Sequence, residues 1–150
     1  MKSLLLIFGR VGYYLGYPVL ALLLNKDART RVVIRHNHQV LLVKSWLGNG
    51  AWDLPGGGLH KAEAPLQGAL REVQEEIGID LGSYEVKMIK TLNFKFGLIR
   101  YKAHYFEATL ENKPKLKLQK LEIIDAQWFD PDQIKDIKLN PQLRYIIGLR

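Results

Sequence analysis

Hydrophobic and polar positions divide the chain into an N-terminal apolar run and a longer part in which the two kinds of residue alternate. The apolar run, SLLLIFGRVGYYLGYPVLALLL over residues 3–24, contains one charged residue, Arg10. The pattern changes near Asn25, where polar and charged residues become frequent. We therefore predict a hydrophobic N-terminal segment over 1–27 and a folded domain over 28–150.

Short apolar runs bounded by turn residues predict the strands of this domain. TRVVIRHNHQVLLVKSW predicts two strands joined by a turn at Asn37, and AWDLPGG predicts a short strand that enters a glycine turn. YEVKMIKTLNFKF, IRYKAHYFEATL and AQWF predict further strands. Lys113, Lys115 and Lys117 alternate in NKPKLKLQK, which predicts a solvated edge strand, with a patch that guides phosphate groups as the alternative.

Three stretches carry helix signals. Pro65 suits the first position of a helix and Gly78 suits the position just beyond its end, so a helix is predicted between them. DPDQI predicts a short helical turn, and NPQLRYIIGL predicts a C-terminal helix with Asn140 as its N-cap. Helices that flank a mixed sheet are the natural packing for this order of elements, which predicts an α/β fold.

The helix that begins at Pro65 has an unusual acidic face. Glu72, Glu75 and Glu76 are three and four residues apart, so they share one side of the helix, next to an apolar core face. Like charges at this spacing repel each other. Such a concentration of negative charge is unexpected in a chain with a net charge of +7. Arg71 borders the acidic side and can pair with its carboxylates.

Composition narrows the chemistry that this helix can support. The chain has no cysteine, so a bound metal must use oxygen or imidazole ligands. The four histidines show no metal-ligand spacing and are interpreted as turn, surface or strand residues. The basic excess is mostly N-terminal and no run of basic residues is interleaved with aromatic ones, so nucleic acid is not indicated as a partner.

The glycine turn and the acidic helix together resemble the signature of the Nudix hydrolases. The matching positions are Gly57, Glu63 and, in the run that follows, Arg71, Glu72, Val73, Glu75, Glu76, Gly78 and Ile79. VLLVKSW, GAWDLPGG and Glu122, six residues before Trp128, extend the resemblance from about residue 28 to the C-terminus. Ala62 stands where many members have glycine. The resemblance implies the Nudix fold, a mixed β-sheet sandwiched between α-helices, here with an extra N-terminal hydrophobic helix.

The resemblance also implies a metal site. Mg²⁺ or Mn²⁺ would be bound by carboxylates and by one backbone carbonyl, from Glu72, Glu75, Glu76 and Gly56. Arg71 and Glu63 would orient these ligands. Hard cations of this kind prefer oxygen ligands, and their charge would remove the repulsion on the acidic face.

The implied reaction is hydrolysis of a phosphoanhydride bond in a nucleoside diphosphate linked to another moiety. Glu75, Arg71 and Glu122 are the candidate catalytic residues. Glu122 is interpreted as a general base or a further metal ligand, or else as a residue that caps a surface loop. The alternatives to this enzyme are a nucleotide-sensing module without turnover and a hydrolase of RNA 5′ ends. The substrate contacts are unknown, although Phe94, Phe96 and Tyr101 lie where family members contact a nucleobase.

The apolar run predicts association with a membrane. Residues 4–24 would form a helix about 31 Å long, which just spans a bilayer core. Arg10 and three tyrosines would share one side, which suits a helix lying in the interface at least as well, and Pro18 would kink it. Basic residues after the segment place the domain in the cytoplasm, at the inner face of the membrane. The alternative is a helix that packs its leucines on the sheet. A small-molecule nucleotide is the expected partner, and a homodimer is left open.

Overall fold

The computed structural model describes residues 28–46, 49–96 and 99–148, together with the single positions Val11 and Gly16. Apart from these two positions, which are helical, the N-terminal segment and its predicted helix lie outside the described residues. Within the described parts of the chain, no helix has the length and apolar content needed to cross a bilayer.

Five strands and three helices follow one another between residues 28 and 148. The strands are β1 (Arg29–His36), β2 (Gln39–Ser45), β3 (Val86–Phe96), β4 (Ile99–Thr109) and β5 (Ile123–Phe129). The helices are α1 (Pro65–Ile77), α2 (Pro131–Asp136) and α3 (Pro141–Ile146). The strands form one sheet in the order β3-β4-β1-β2-β5. β1 runs parallel to β4, while the other neighbours are antiparallel, so the predicted mixed sheet is confirmed.

Alternation along the central strands produces two cores, one on each side of the sheet. Val32 and Ile34 of β1 point to the side covered by α1, whereas Val33 points to the side covered by α2 and α3. β2 divides in the same way, with Leu41 on the α1 side and Leu42 on the other. Because both faces are covered, these strands are almost continuously apolar.

The glycine turn lies in a gap between β1 and β2. These strands pair only near their hairpin, through Arg35 and His36, and then diverge. The stretch 52–59 fills the space between them. The N–H of Thr30 donates to the carbonyl of Gly57 and the N–H of Val32 donates to that of Pro55, both at 2.9 Å. The turn is therefore fixed to the centre of the sheet.

The lysine-rich stretch after β4 is not an edge strand, so that prediction was wrong. Residues 110–122 cross the C-terminal end of α1 without regular strand structure. The N–H of Lys117 donates to the carbonyl of Ile77 and that of Gln119 to the carbonyl of Glu76, each at 2.9 Å. The carbonyls at the end of a helix lack intrahelical partners, and this stretch supplies them.

Two smaller differences concern turns and caps. AWDLPGG pairs only through single bridges at Trp52 and Asp53 and forms no extended strand. Asn140 occupies the N-cap position of α3 but its side chain makes no capping hydrogen bond. Its Nδ2 donates to Asp53 Oδ2 instead, at 3.3 Å, so Asn140 links α3 to the stretch beside the glycine turn.

Candidate active site

The acidic residues of α1 differ sharply in their exposure. Ala69, Val73 and Ile77 are fully buried against the sheet, and they orient the helix. Glu76 is also turned inward and is only 7% exposed, whereas the side chain of Glu75 is 52% exposed. The helix therefore presents its carboxylates at graded depths, from the core to the solvent.

Arg71 connects the carboxylates to one another. Its Nε and Nη2 donate to the two oxygens of Glu63 at 2.8 and 2.9 Å, a bidentate pair. Its Nη1 donates to Glu72 Oε1 and to Glu75 Oε2, both at 2.9 Å. Nη2 also donates to the carbonyl of Gly58 at 3.0 Å. One guanidinium group thus holds three carboxylates and the glycine turn in a fixed arrangement.

Glu63 is held as an anion in this network. The hydrogen bonds from Arg71 lower its pKa to about 2, and the N–H of His60, which donates to Glu63 Oε2 at 2.8 Å, acts in the same direction. The pKa of Arg71 is raised in turn, chiefly by Glu63. Both groups are therefore charged at every physiological pH.

Glu76 is in the opposite electrostatic situation. Its pKa is raised to about 7, chiefly by burial and also by the charges of Glu72 and Glu122, although Arg31 and the N–H of Gly56 act against this. That N–H donates to Glu76 Oε2 at 2.8 Å. Glu76 is thus a buried carboxylate whose burial is only partly offset by Arg31 and the N–H of Gly56.

Two glycines allow the turn to approach these carboxylates closely. Gly56 has a φ of +131°, and a Cβ there would lie 2.4 Å from the carbonyl oxygen of Thr30. At Gly57 a Cβ would lie 2.4 Å from Glu72 Oε2. The backbone at this point therefore occupies space that any side chain would need.

A cavity of about 370 Å³ opens beside the turn. Its lining residues include Gly56, Gly57 and Glu76 together with Arg31 and Asp53. Arg31 Nη1 donates to the carbonyl of Gly56, and Arg31 Nε lies 3.6 Å from Asp53 Oδ1. A cation and a carboxylate thus lie beside the glycine turn in this cavity.

The ligands predicted for a metal lie around this turn without forming a finished site. Among the described residues, no three acidic or histidine side chains already surround a common point. Arg71 holds Glu72 and Glu75, and the N–H of Gly56 holds Glu76. The donor chemistry nevertheless fits a hard divalent cation, because the donors are oxygen atoms and a bound cation would offset the burial that raises the pKa of Glu76.

The described domain corresponds to a known protein family. A model of the NUDIX domain matches residues 25–148. The chain belongs to the Nudix family. It is 31% identical over 112 residues to the m7GpppN-mRNA hydrolase dcap-2 of Caenorhabditis elegans, a match that covers 73% of this chain and 14% of that protein. It is 48% identical over 50 residues to the 8-oxo-dGTP diphosphatase of Proteus vulgaris, covering 31% and 44% of the two chains.

Solved structures agree with the Nudix assignment. The MutT protein from Methanosarcina mazei Go1 matches with a TM-score of 0.68 at 25% identity, over 82% of this chain and 91% of that one. The Nudix fold predicted from the sequence is therefore confirmed. The two curated relatives are matched over less than half of their own length.

Glu122 lies at the edge of the Nudix site. It is exposed in the turn before β5, where its N–H donates to the carbonyl of Gln119 at 3.0 Å and its carbonyl accepts from the N–H of Trp46 at 3.2 Å. Its charge acts on Glu76 and raises that pKa. The backbone of Glu122 is therefore fixed, and its carboxylate lies within electrostatic range of the acidic helix.

Arg31 and Asp53 belong to the Nudix site, although no sequence motif indicated them. Arg31 shares a face of β1 with the buried Val33, so a charged side chain occurs where alternation predicts a core position. This charged residue at an expected core position is the sequence feature from which the role of Arg31 could have been predicted. Asp53 becomes significant only when the stretch 52–59 is inserted between β1 and β2.

Ala62 also has a structural consequence that the sequence did not show. Its φ is +62°, in the left-handed region that favours glycine. The position lies one residue before Glu63, in the turn between the glycine stretch and α1. Because Glu63 anchors Arg71, this strained turn sets the position of the carboxylate network.

Proposed function

We propose that this Nudix protein hydrolyses a phosphoanhydride bond in a nucleoside diphosphate linked to another moiety, with Mg²⁺ or Mn²⁺ as cofactor. The observation that carries the proposal is the Arg71 network, which holds Glu63, Glu72 and Glu75 against the glycine turn at the wall of a cavity. The names of the two curated relatives, a hydrolase and a diphosphatase, support the same reaction class.

One group of residues would bind the metal. Glu72, Glu75, Glu76 and the carbonyl of Gly56 would hold the metal, which when bound neutralises substrate charge and activates a water molecule. The carbonyl oxygen of Gly56 accepts a hydrogen bond from Arg31, and its second lone pair is suited to an ion.

Arg71 and Glu63 act as positioning residues in this proposal. Their bidentate pair holds the guanidinium group, whose Nη1 in turn donates to Glu72 and Glu75. Glu75 and Glu122 are the candidates for the general base, because both carboxylates are exposed beside the site and can accept a proton from water.

Substitution of one carboxylate tests these roles. Glu75→Gln keeps the size and helix propensity of the side chain but removes its charge, so kcat should fall by about two orders of magnitude while the fold is retained. Glu85→Gln is the matched control, since Glu85 is 77% exposed and contacts Lys87 away from the site. Equal losses of turnover in both variants would contradict the assignment.

A panel of substrates separates an enzyme from a nucleotide sensor. Nucleotide sugars, ADP-ribose, dinucleoside polyphosphates, ordinary and oxidised nucleoside triphosphates and triphosphorylated RNA would be incubated with and without Mg²⁺. Metal-dependent release of phosphate or nucleotide from any of them supports the hydrolase. Binding without turnover across the whole panel would favour the sensor, although a sensor has little need for a complete set of acidic residues.

We further propose that residues 3–24 hold the domain at the cytoplasmic face of a membrane. The support is the sequence itself, with one charge in this run and Lys26, Arg29, Arg31 and Arg35 after it. The full chain should sediment with anionic vesicles, and a protein that begins at Asn25 should stay in the supernatant, folded and active. Aggregation of the shorter protein, with no vesicle binding by the full chain, would assign the segment to the core instead.

A further inference from the structure

A basic surface lies at the end of the sheet where β1 and β4 begin. In the register of β3 with β4, Lys95 lies opposite Arg100 and Asn93 lies opposite Lys102. Residues that lie directly opposite each other point to the same side of a sheet, and so do residues two positions apart on one strand. All four side chains are exposed. We call Asn93, Lys95, Arg100 and Lys102 the basic face.

The basic face borders a cavity of about 810 Å³ at the start of α1. Leu59 and Pro65 line this cavity together with the residues of the basic face. None of the described residues that line it is acidic. The cavity is separate from the catalytic one, which none of the three cations lines. The basic face is therefore suited to anions other than the phosphates that are cleaved.

The aromatic residues of the same strands belong to the other side of the sheet. Phe94 and Tyr101 alternate with the cations along β3 and β4, and they pack against the core that α2 and α3 cover. Single-stranded nucleic acid is usually bound where aromatic rings stack on the bases between the basic groups. Because rings and cations are separated here, the basic face favours a partner that presents negative charge without bases.

The N-terminal segment joins the domain beside the basic face. β1 and β4 are parallel neighbours with Arg29 opposite Ala103, so Ala28 lies at the same end of the sheet as Lys102, and it lines the same cavity. Leu24, the last residue of the apolar run, precedes Ala28 by four positions. Four residues span at most about 14 Å in any conformation. If residues 3–24 bind a bilayer, the cavity that the basic face borders therefore lies close to the lipid headgroups.

We propose that the basic face binds the anionic headgroups of phospholipids and thereby orients the domain on a membrane. This inference goes beyond the hydrolase, and it rests on the proposal that residues 3–24 hold the domain at a membrane. Lys26, between the apolar run and Ala28, adds a fourth cation. A cluster of about four basic residues next to a membrane segment is typical of proteins that bind anionic lipids.

The apolar segment and the basic face have different parts in this arrangement. One basic residue near an anionic surface strengthens binding about fivefold, so the three cations of the face supply only about 150-fold by themselves. Stable attachment to a bilayer requires two signals, such as an apolar anchor and a basic patch. The segment therefore supplies the attachment and the basic face supplies the orientation. A protein that begins at Asn25 keeps the face but stays in solution.

Sedimentation of the full chain with vesicles tests the contribution of the lysines. Wild type should partition more strongly into vesicles of phosphatidylserine and phosphatidylcholine than into phosphatidylcholine alone, and added salt should weaken this preference. Lys95→Gln combined with Lys102→Gln should lower the partition coefficient for the anionic vesicles by about thirtyfold. The same variant should leave the partition coefficient for the neutral vesicles unchanged.

A matched control separates the basic face from general positive charge. Lys87→Gln combined with Lys113→Gln removes two exposed lysines at the other end of the sheet. Lys87 lies opposite Glu107, near the end of β4, and Lys113 donates to Gln39 at the start of β2. This double variant should bind both kinds of vesicle as the wild type does.

The orientation can be measured with single labels, because the chain has no cysteine. Asn93→Cys places one fluorophore on the basic face, and Asn112→Cys places one at an exposed position beyond the end of β4. Lys102 and Thr109 are seven residues apart on this strand, roughly 23 Å. Spin-labelled headgroups in anionic vesicles should quench the fluorophore at position 93 several times more strongly than that at position 112. Lys95→Gln combined with Lys102→Gln should remove the difference.

The possible failures can be told apart. Equal loss of binding in the two double variants would overturn the inference, as would equal quenching at the two labelled positions. Vesicle binding that ignores lipid charge would overturn it but leave residues 3–24 as the anchor, whereas a full chain that binds no vesicle would overturn both proposals. Binding of single-stranded RNA through Lys95 and Lys102, with no effect of these lysines on vesicle binding, would overturn it in favour of nucleic acid. Nucleotide hydrolysis by the same proteins tests the proposed function independently.

Discussion

Removing the buried charge of Glu76 should stabilise the metal-free protein at alkaline pH. Its pKa is about 7 in the folded state against an ordinary value of 4.5, chiefly because of burial. One pKa unit corresponds to about 1.4 kcal/mol, so ionised Glu76 costs the folded state about 3 kcal/mol above pH 7. Glu76→Gln keeps a carbonyl oxygen that can accept the N–H of Gly56 and removes this cost.

The direction of the pH dependence follows from proton binding. Between pH 4.5 and pH 7 the folded protein holds a proton on Glu76 that the unfolded chain has released, so the free energy of unfolding falls as pH rises through this window. Below the window both states are protonated and the cost vanishes. The advantage of Glu76→Gln over wild type should therefore be small at pH 4.5 and reach about 3 kcal/mol at pH 8.

Urea unfolding in the presence of EDTA, at both pH values, measures this difference. Glu85→Gln is the control, because that exposed residue should change stability by no more than about 0.5 kcal/mol. Saturating Mg²⁺ should then stabilise wild type more than Glu76→Gln, because only the wild type offers the full negative charge. A variant that is no more stable than wild type at pH 8, or that gains equally at both pH values, would refute the reasoning.

Two further predictions concern the turn. Ala62→Gly should raise the free energy of unfolding by about 1 kcal/mol, because glycine adopts a φ of +62° without strain. Thermal unfolding would measure the gain. An unchanged free energy of unfolding would mean that the turn is not strained at Ala62. Gly57→Ala places a Cβ 2.4 Å from Glu72 Oε2, so the carboxylate must move. We expect kcat to fall about a hundredfold while the circular dichroism spectrum stays unchanged. Full activity would show that Glu72 is not needed in its present position.

Local patterns predicted the helix and most strands correctly. Pro65 and Gly78 bracket α1 as expected, and alternation in the central strands identifies which residues enter the two cores. The acidic side of α1 could also be predicted, because the spacing of its residues along the chain places them on one side of a helix. Helix ends, strand faces and the sides of a helix depend on residues close together in the chain, so the sequence alone predicts them.

Features that depend on distant pairing were not predicted. Lys113 and Lys117 alternate as in a strand, but the backbone hydrogen bonds of this stretch go to the end of α1. Asn140 is a residue type that is common at N-caps, yet its side chain donates a hydrogen bond to Asp53 instead of capping α3. Arg31 reaches the turn only because β1 and β2 diverge and admit residues 52–59. In each case a tertiary contact prevailed over a local preference.

The crossing of residues 110–122 over the end of α1 has a consequence for the order of folding. The carbonyls of Glu76 and Ile77 find their partners at Gln119 and Lys117, which follow β3 and β4 in the chain. Contacts between residues so distant in sequence form slowly, because a large loop must close first. The end of the acidic helix therefore gains these partners only after the chain that contains β3 and β4 has folded back over it. The amide protons of Lys117 and Gln119, which donate to these carbonyls, should then be protected from exchange with solvent in the folded domain.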